Sequence, residues 1–151
     1  MGKKARIRPI AICLFRRGEE PRPDPKGDRI LVHEGEDTVA GFRFGRPLGG
    51  GIDFGESSQA AVVREIREEL GAEITAVRLL GIVESIYVYE GAPGHEIVFV
   101  YDAQFVDETL YAQESLRVTE GERVFTARWR SLDELRGDPL VLVPKGLWQY
   151  L

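Results

Sequence analysis

The 151-residue chain has little sulfur and little imidazole, with one cysteine, one methionine and two histidines. Its single cysteine, Cys13, excludes an intrachain disulfide and a thiolate zinc cluster. Cys13 lies in the apolar run 9–15, where we expect a small buried side chain and not a nucleophile. Positive charge is also scarce, because 20 Lys and Arg stand against 25 Asp and Glu, a formal net charge of −5. This balance argues against binding a nucleic acid polymer through bulk charge.

Long hydrophobic runs are absent, so we expect no membrane span. The run 9–15 follows Lys3, Lys4 and Arg6, but it is short and has no small-residue cleavage site. We therefore interpret it as a strand and not as a signal peptide, and we expect a cytoplasmic protein. The content of 43% hydrophobic and 30% charged residues is typical of a soluble globular chain. Its length predicts a single domain over residues 1–151.

The order of apolar patterns predicts an α+β fold with a mixed sheet. Gly49-Gly50-Gly51 predicts a loop, and a four-residue apolar period then predicts a helix from Ser57 to Leu70, followed by Gly71 as its left-handed cap. The remaining pattern predicts strands at 6–15, 29–33 (paired with the first), 42–44, 77–89, 95–105 and 123–129, and short helices from 131 and from 144.

Three carboxylates occupy one side of the predicted helix. Glu65, Glu68 and Glu69 stand at i, i+3 and i+4, within an arc of about 100°. For an arbitrary helix, a solvated charged face explains such a group. Here the preceding glycines allow a backbone to approach a ligand closely, and Glu56 adds a fourth carboxylate. A cluster of oxygen donors of this kind suits a hard divalent cation such as Mg²⁺.

The spacing Gly50-x5-Glu56-x7-Arg64-Glu65-Ile66-x-Glu68-Glu69-x-Gly71 resembles the box motif of the Nudix hydrolases. Every defining position is present, and the departure is Ala72, where the family usually has a larger aliphatic residue. The resemblance implies the Nudix fold, an α/β/α sandwich in which the box helix packs on a mixed sheet and a second helix lies near the C-terminus.

The resemblance also implies an enzyme. Nudix hydrolases use Mg²⁺ or Mn²⁺ to cleave a phosphoanhydride bond in a nucleoside diphosphate linked to another moiety, with a metal-activated water as nucleophile. Carried onto this chain, Glu68 and Glu69 are metal ligands, and Glu65 is a further ligand or the base. The Gly50 carbonyl and Glu56 complete and support the metal shell. Arg64 is expected to hold a box glutamate, either Glu56 or Glu68.

Many family members use one more acidic residue from outside the box. The candidates are Glu96, Glu84 and Glu120, and we take Glu96 first as a catalytic residue because it begins a strand expected to lie beside the helix. An ordinary surface carboxylate remains the alternative for each of them.

The sequence indicates the substrate less clearly than it indicates the type of reaction. Arg46 and Arg43 are candidates for contacts with substrate phosphates, with a solvated arginine as the alternative for Arg43. Phe44, Tyr87, Tyr89 and Trp129 include candidates for stacking on a base, although we expect most of them in the core. Within the family, a tyrosine in the region of residues 87–89 is more typical of dinucleoside polyphosphate hydrolases, whereas a proline is typical of ADP-ribose pyrophosphatases. The next proline here is Pro93, so the pattern favours dinucleoside polyphosphates or nucleoside triphosphates.

Two alternatives to the enzyme remain at this stage. One is a Nudix-fold module that binds a nucleotide without cleaving it, although such modules usually lose box carboxylates and none is lost here. The other is an unrelated α+β domain whose glutamates form a solvated face. As partners we expect a small nucleotide derivative and neither a nucleic acid polymer nor a membrane, and we leave a homodimer open.

Overall fold

The computed structural model describes residues 5–137 and 139–151. Within these residues the chain forms β1 (Arg8–Leu14), β2 (Arg16–Arg17), β3 (Arg29–Asp37), β4 (Phe42–Gly51), α1 (Ser58–Leu70), β5 (Ile74–Tyr89), β6 (Ala92–Phe105), β7 (Ser115–Glu120), β8 (Arg123–Ser131) and β9 (Val141–Leu142). Two 3₁₀ helices span Glu108–Ala112 and Lys145–Tyr150. The predicted α+β class with a mixed sheet is confirmed.

The strands follow the order β5-β6-β1-β4-β3-β8-β7, with β2 on β3 and β9 on β4. β1 runs parallel to β6 and antiparallel to β4. β4 joins two parts of the sheet, because its residues 48–51 pair with β1 and its residues 42–47 pair with β3. The glycine run 49–51 is therefore the paired end of a strand, and the predicted loop there is wrong.

Helix α1 forms where its sequence signals place it. The Ser57 side chain accepts a hydrogen bond from the Ala60 amide at 3.1 Å, and Gly71 ends the helix with a φ of 65°. Both are standard capping arrangements for orphan backbone groups. Ala61, Val62 and Ile66 are fully buried against the sheet, so the carboxylate-bearing side of α1 is held at a defined angle to β4.

Alternate residues of β1 enter two hydrophobic cores, one on each face of the sheet. Ala11 and Cys13 pack with Val62 of α1, whereas Ile10 and Ile12 pack on the other side. The second core is covered by the C-terminal 3₁₀ helix through Leu147 and by the residues before it, including Leu135, Leu140 and Leu142. In the described residues, no helix is long and apolar enough to cross a bilayer.

Several predicted elements differ from the structure. The helix predicted from residue 131 is a single turn: Ser131 and Glu134 cap each other's amides at 3.0 and 3.1 Å, but Gly137, with a φ of 111°, turns the chain away. The C-terminal helix is 3₁₀ and not α-helical. Strand β3 extends to Asp37 and pairs with β4 and β8. Its predicted pairing with the first strand is wrong for β1: β3 instead pairs with β2, which follows that strand, and the Leu31 amide donates to the Phe15 carbonyl at 3.2 Å. Strand β7 was not predicted at all.

Two hairpin tips meet away from the core. The Thr38 hydroxyl, at the tip of the β3–β4 hairpin, donates to the Glu90 carboxylate at 2.6 Å at the tip of the β5–β6 hairpin. Beside them, the rings of Phe44 and Tyr89 meet edge to face with centroids 5.8 Å apart. These contacts join two distant parts of the chain, and a cleft lies between the two hairpins and the box.

Candidate active site

Arg64 is the hub of the box. Its Nε and Nη2 donate to the two carboxylate oxygens of Glu56 at 2.8 and 2.9 Å, a bidentate pair. Its Nη2 also donates to the carbonyl of Gly51 at 3.0 Å, and its Nη1 donates to Glu65 at 3.1 Å and Glu68 at 3.2 Å. The hydrogen bonds from Arg64 lower the pKa of Glu56 to about 2. One guanidinium therefore orients three carboxylates and ties them to the end of β4.

Glu69 is the most buried carboxylate of the box, with 5% of its surface exposed. One of its oxygens accepts a hydrogen bond from the Gly49 amide at 3.1 Å, which links α1 to β4. Burial, reinforced by the nearby charges of Glu65 and Glu120, raises the pKa of Glu69 to about 8. Burial also raises the pKa of Glu65. The hydrogen bond from Arg64 only partly offsets the burial of Glu65, and in the described residues Glu69 accepts a hydrogen bond from a backbone amide and not from a cationic side chain.

Gly50 lies directly beneath the Glu65 carboxylate. A Cβ built at Gly50 would stand 2.5 Å from the carboxyl carbon of Glu65, which is closer than real contacts allow. The glycine thus leaves room for a carboxylate beside the strand backbone, and a side chain at this position would displace it.

The three acidic candidates outside the box have different surroundings. Glu120, at the end of β7, is exposed and raises the pKa of both Glu65 and Glu69 through its charge, so it faces the box. Glu96 is buried and contacts Arg46 at 2.9 Å. Glu84 contacts the ring of His95 at 3.0 Å. Of the three, Glu120 is the one whose charge acts on the box glutamates.

A cleft of about 760 Å³ runs beside the box between the two hairpins. Its walls include Arg46, Glu96 and Glu120 among the predicted residues, and Phe44, Tyr87 and Tyr89 among the predicted aromatic ones. Its volume lies within the range typical of small-molecule sites. The cleft thus combines an apolar, aromatic surface with Glu120, whose charge acts on the box glutamates.

Two other predicted substrate residues have different surroundings. The Arg43 guanidinium donates to Glu34 at 3.0 Å, and Arg43 is not among the residues that form the cleft wall. Trp129 is buried in the core, where it stacks on Tyr111 with centroids 5.4 Å apart.

The cleft also contains residues that the sequence reasoning missed. His33 and Phe125 contact each other with ring centroids 5.0 Å apart, and Arg123 lies on the same wall. The sequence of β7 contains a pattern that could have predicted this wall. Leu116 and Val118 alternate with exposed residues, and Gly121, which has a φ of 60°, follows them. That pattern predicts a hairpin leading into β8.

The donor set fits a hard divalent cation. Glu65, Glu68 and Glu69 supply carboxylate oxygens on one side of α1, and two of them have pKa values raised by burial and by mutual repulsion. A bound cation would reverse that penalty, since it favours the ionised carboxylates. In residues 5–137 and 139–151, no three acidic, histidine or cysteine side chains are already grouped around a common metal position. Because Arg64 Nη1 bonds both Glu65 and Glu68, these two would turn from it toward the cation.

Comparison with known proteins identifies the family of the chain. The family model of the NUDIX domain matches residues 8–148. The chain therefore belongs to the Nudix hydrolases, enzymes that hydrolyse phosphoanhydride bonds in small nucleotide derivatives and generally use divalent cations.

The individual relatives have low sequence identity to this chain. The chain is 28% identical over 110 residues to proteins named NAD-capped RNA hydrolase NudC from two strains of Pseudomonas aeruginosa. This match includes 73% of the chain but 34% of the relatives, so the chain spans about a third of their length. Among solved structures, a MutT Nudix hydrolase from Burkholderia pseudomallei is 28% identical, with a TM-score of 0.60 and coverage of 90% of this chain and 91% of that one. A Nudix hydrolase from Nitrosomonas europaea, 19% identical with a TM-score of 0.61 and coverage of 96% and 86%, shares the fold.

Proposed function

We propose that this protein catalyses the Mg²⁺- or Mn²⁺-dependent hydrolysis of a nucleoside diphosphate linked to another moiety. The observation that carries the proposal is a 760 Å³ cleft whose wall includes Glu120, the residue whose charge acts on the box carboxylates Glu65 and Glu69. A buried, mutually repelling carboxylate set needs a cation, and an adjoining cleft of this size has room for a nucleotide derivative.

The box residues then have separate tasks. Glu65, Glu68 and Glu69 would hold the cation, with the Gly50 carbonyl as a further oxygen donor. The bound cation would neutralise phosphate charge and lower the pKa of a bound water. Glu56 and Arg64 would keep the ligands in place through the bidentate pair and the bonds from Arg64 Nη1.

Glu120 is the acidic residue outside the box that the contacts favour as an additional ligand or as the base. Its charge acts on Glu65 and Glu69, and in the described residues it forms no ion pair with an arginine or lysine. A carboxylate in this position can accept a proton from a water at the phosphate without first releasing a cationic partner.

The cleft determines which nucleotide derivative is accepted. Phe44, Tyr87 and Tyr89 supply aromatic surface for a base, and Arg46 supplies positive charge for a phosphate. Because the chain is similar to proteins named NAD-capped RNA hydrolase NudC, we include NAD-capped RNA in the substrate panel, beside dinucleoside polyphosphates and nucleoside triphosphates.

The test is a substrate panel with phosphate readout in Mg²⁺, in Mn²⁺ and in EDTA. We expect metal-dependent turnover of at least one member of the panel. Glu69→Gln, which keeps the shape and the hydrogen bond to Gly49 but removes a charge, should lower turnover by about 100-fold or more. The matched control is Glu73→Gln, which removes an exposed carboxylate paired with Arg67 outside the cleft.

Two further outcomes separate the alternatives. Mg²⁺ or Mn²⁺ should raise the melting temperature of the wild type and not that of Glu69→Gln, because only the native site binds the ion. Nucleotide binding without turnover would favour the non-catalytic module. Absence of turnover, of nucleotide binding and of stabilisation by metal would contradict the whole proposal.

A further inference from the structure

Glu96 is a buried carboxylate with cationic neighbours. Only 4% of its surface is exposed. One of its oxygens accepts a hydrogen bond from Arg46 Nη2 at 2.9 Å, and the other lies 3.9 Å from Arg8 Nη1. Burial and the nearby charge of Glu96 raise the pKa of Tyr87. An ionised carboxylate at such depth is tolerated only when it is paired in this way.

These contacts join strands that are not neighbours in the sheet. Arg46 belongs to β4 and Glu96 to β6, and β1 lies between them in the strand order. Arg46 and Glu96 both line the cleft, and a quarter of the Arg46 side chain remains exposed. The pair therefore sets the position of a partly exposed guanidinium on the cleft wall.

Arg46 has unused hydrogen-bond donors. Within the described residues its guanidinium makes one hydrogen bond, through Nη2, whereas that of Arg64 makes bonds through Nε, Nη1 and Nη2. Two guanidinium groups, Arg46 and Arg8, also face one carboxylate, so the cluster has an excess of one positive charge. An arginine with unused donors in a cleft is suited to bind an anionic oxygen of a phosphate.

The same surroundings make Glu96 a poor metal ligand. A cation approaching its oxygens would meet guanidinium groups at 2.9 and 3.9 Å, and displacing Arg46 would leave a half-buried positive charge without its partner.

We propose that Glu96 is a positioning residue: it holds Arg46 in the orientation in which Arg46 binds a phosphate of the substrate. This inference rests on the proposed function, since it assigns a role within the same cleft. Glu96 acts through Arg46 and touches neither the metal nor the reacting atoms. Its removal should weaken phosphate binding and leave the metal requirement unchanged.

The experiment is a double-mutant cycle on ADP binding by the metal-free protein in EDTA, measured by calorimetry. We expect Arg46→Ala and Glu96→Gln each to weaken ADP binding by about 10-fold, a typical value for one charge-assisted contact. The double variant should bind no more weakly than Arg46→Ala, because Glu96 acts through Arg46. Tyr87→Phe, which removes only a hydroxyl near Glu96, should give a smaller loss in the same direction.

The matched control is Asp102→Asn. Asp102 is also on β6 and pairs with Arg78 at 3.3 Å, but it is not part of the cleft wall. This variant should bind ADP as the wild type does. In turnover assays, Glu96→Gln should raise KM by a factor similar to its loss of affinity, keep kcat within about 3-fold, and keep the Mg²⁺ concentration dependence of the wild type.

Several results would overturn the inference. Additive losses in the double variant would show that Glu96 acts independently of Arg46. A large fall in kcat with a shifted Mg²⁺ dependence would make Glu96 a metal ligand or base. Weakened stability with unchanged ADP affinity would leave only a structural role, and wild-type protein that does not bind ADP would refute the role of Arg46. Absence of turnover by the wild type refutes the catalytic function alone, because the binding cycle is measured without metal or catalysis.

Discussion

Arg64 offers the most direct test of how the box is held together. Its guanidinium bonds three glutamates and the Gly51 carbonyl, and 28% of the side chain is exposed. In Arg64→Ala these carboxylates would lose their shared cation and repel one another. Removing one partner of a buried ion pair costs about 3–5 kcal/mol, and partial exposure places Arg64 near the lower end, about 3 kcal/mol.

This free energy converts to a measurable melting temperature. An unfolding entropy of about 2.1 cal/mol/K per residue over 151 residues is about 0.3 kcal/mol/K, so 3 kcal/mol corresponds to a fall of about 9 °C. The assay is thermal unfolding in EDTA, where no divalent cation compensates for the missing arginine. Arg64→Lys, which keeps the charge but loses the bidentate geometry, should fall between Arg64→Ala and the wild type.

Arg67 is the matched control on the same helix. It pairs with Glu73 through two hydrogen bonds, but both side chains are more than half exposed. Arg67→Ala should therefore lower the melting temperature by less than about 3 °C. Equal falls in melting temperature for Arg64→Ala and Arg67→Ala would refute the reasoning. They would show that the hydrogen bonds from Arg64 to the box carboxylates stabilise the protein no more than a solvated ion pair does. Added Mg²⁺ should recover more of the loss in Arg64→Ala than in Arg67→Ala, since it meets the same carboxylates.

Two further predictions follow from the box and from the cleft wall. Gly50→Ala should keep the fold but lower activity by about 10-fold or more, because the added methyl group would displace the Glu65 carboxylate. The control is Gly51→Ala, where the nearest atom to the added methyl group is 4.0 Å away, and its effect on activity should be much smaller. Equal losses of activity in the two variants would contradict this account. Burial and the charges of Arg46 and Arg123 lower the pKa of His33 to about 4. Between pH 6.5 and 4 this imidazole is therefore protonated in the unfolded chain but neutral in the native state. The free energy of unfolding should therefore decrease as the pH is lowered from 6.5 to 4. In chemical unfolding, His33→Gln should lose about 2 kcal/mol less stability than the wild type between pH 7 and pH 5. Identical pH profiles for the two proteins would refute this prediction.

The box and its helix were predictable because their signals are local. The apolar period of α1, the cap at Ser57 and the left-handed Gly71 all lie within a few turns of the glutamates they position. Arg64 also belongs to this local group, since its partner Glu56 lies only eight residues away.

The cleft was not predictable in the same way, because its walls come from hairpins far apart in sequence. The tip contact between Thr38 and Glu90 joins residues 52 positions apart, and Arg46 and Glu96 are 50 positions apart. A strand pattern shows that Glu96 begins a strand, but it does not show that an arginine of β4 reaches it across β1. Glu120 was named among the acidic candidates without being preferred, because the strand that carries it, β7, was not predicted and only β8 of that hairpin was.

The distribution of charge in the structure explains how an acidic chain can bind an anionic substrate. The box end of the site is negative, where Glu65, Glu69 and Glu120 act on one another, and a divalent cation bound there would turn it into a phosphate-binding surface. A second surface is formed by Arg46, Arg8 and the buried Glu96, a cluster with one excess positive charge from which Arg46 reaches the cleft wall. A diphosphate lying across both surfaces would meet the cation at one end and Arg46 at the other. If this is correct, loss of Arg46 should weaken nucleotide binding with or without metal, whereas loss of Glu69 should weaken it only when metal is present.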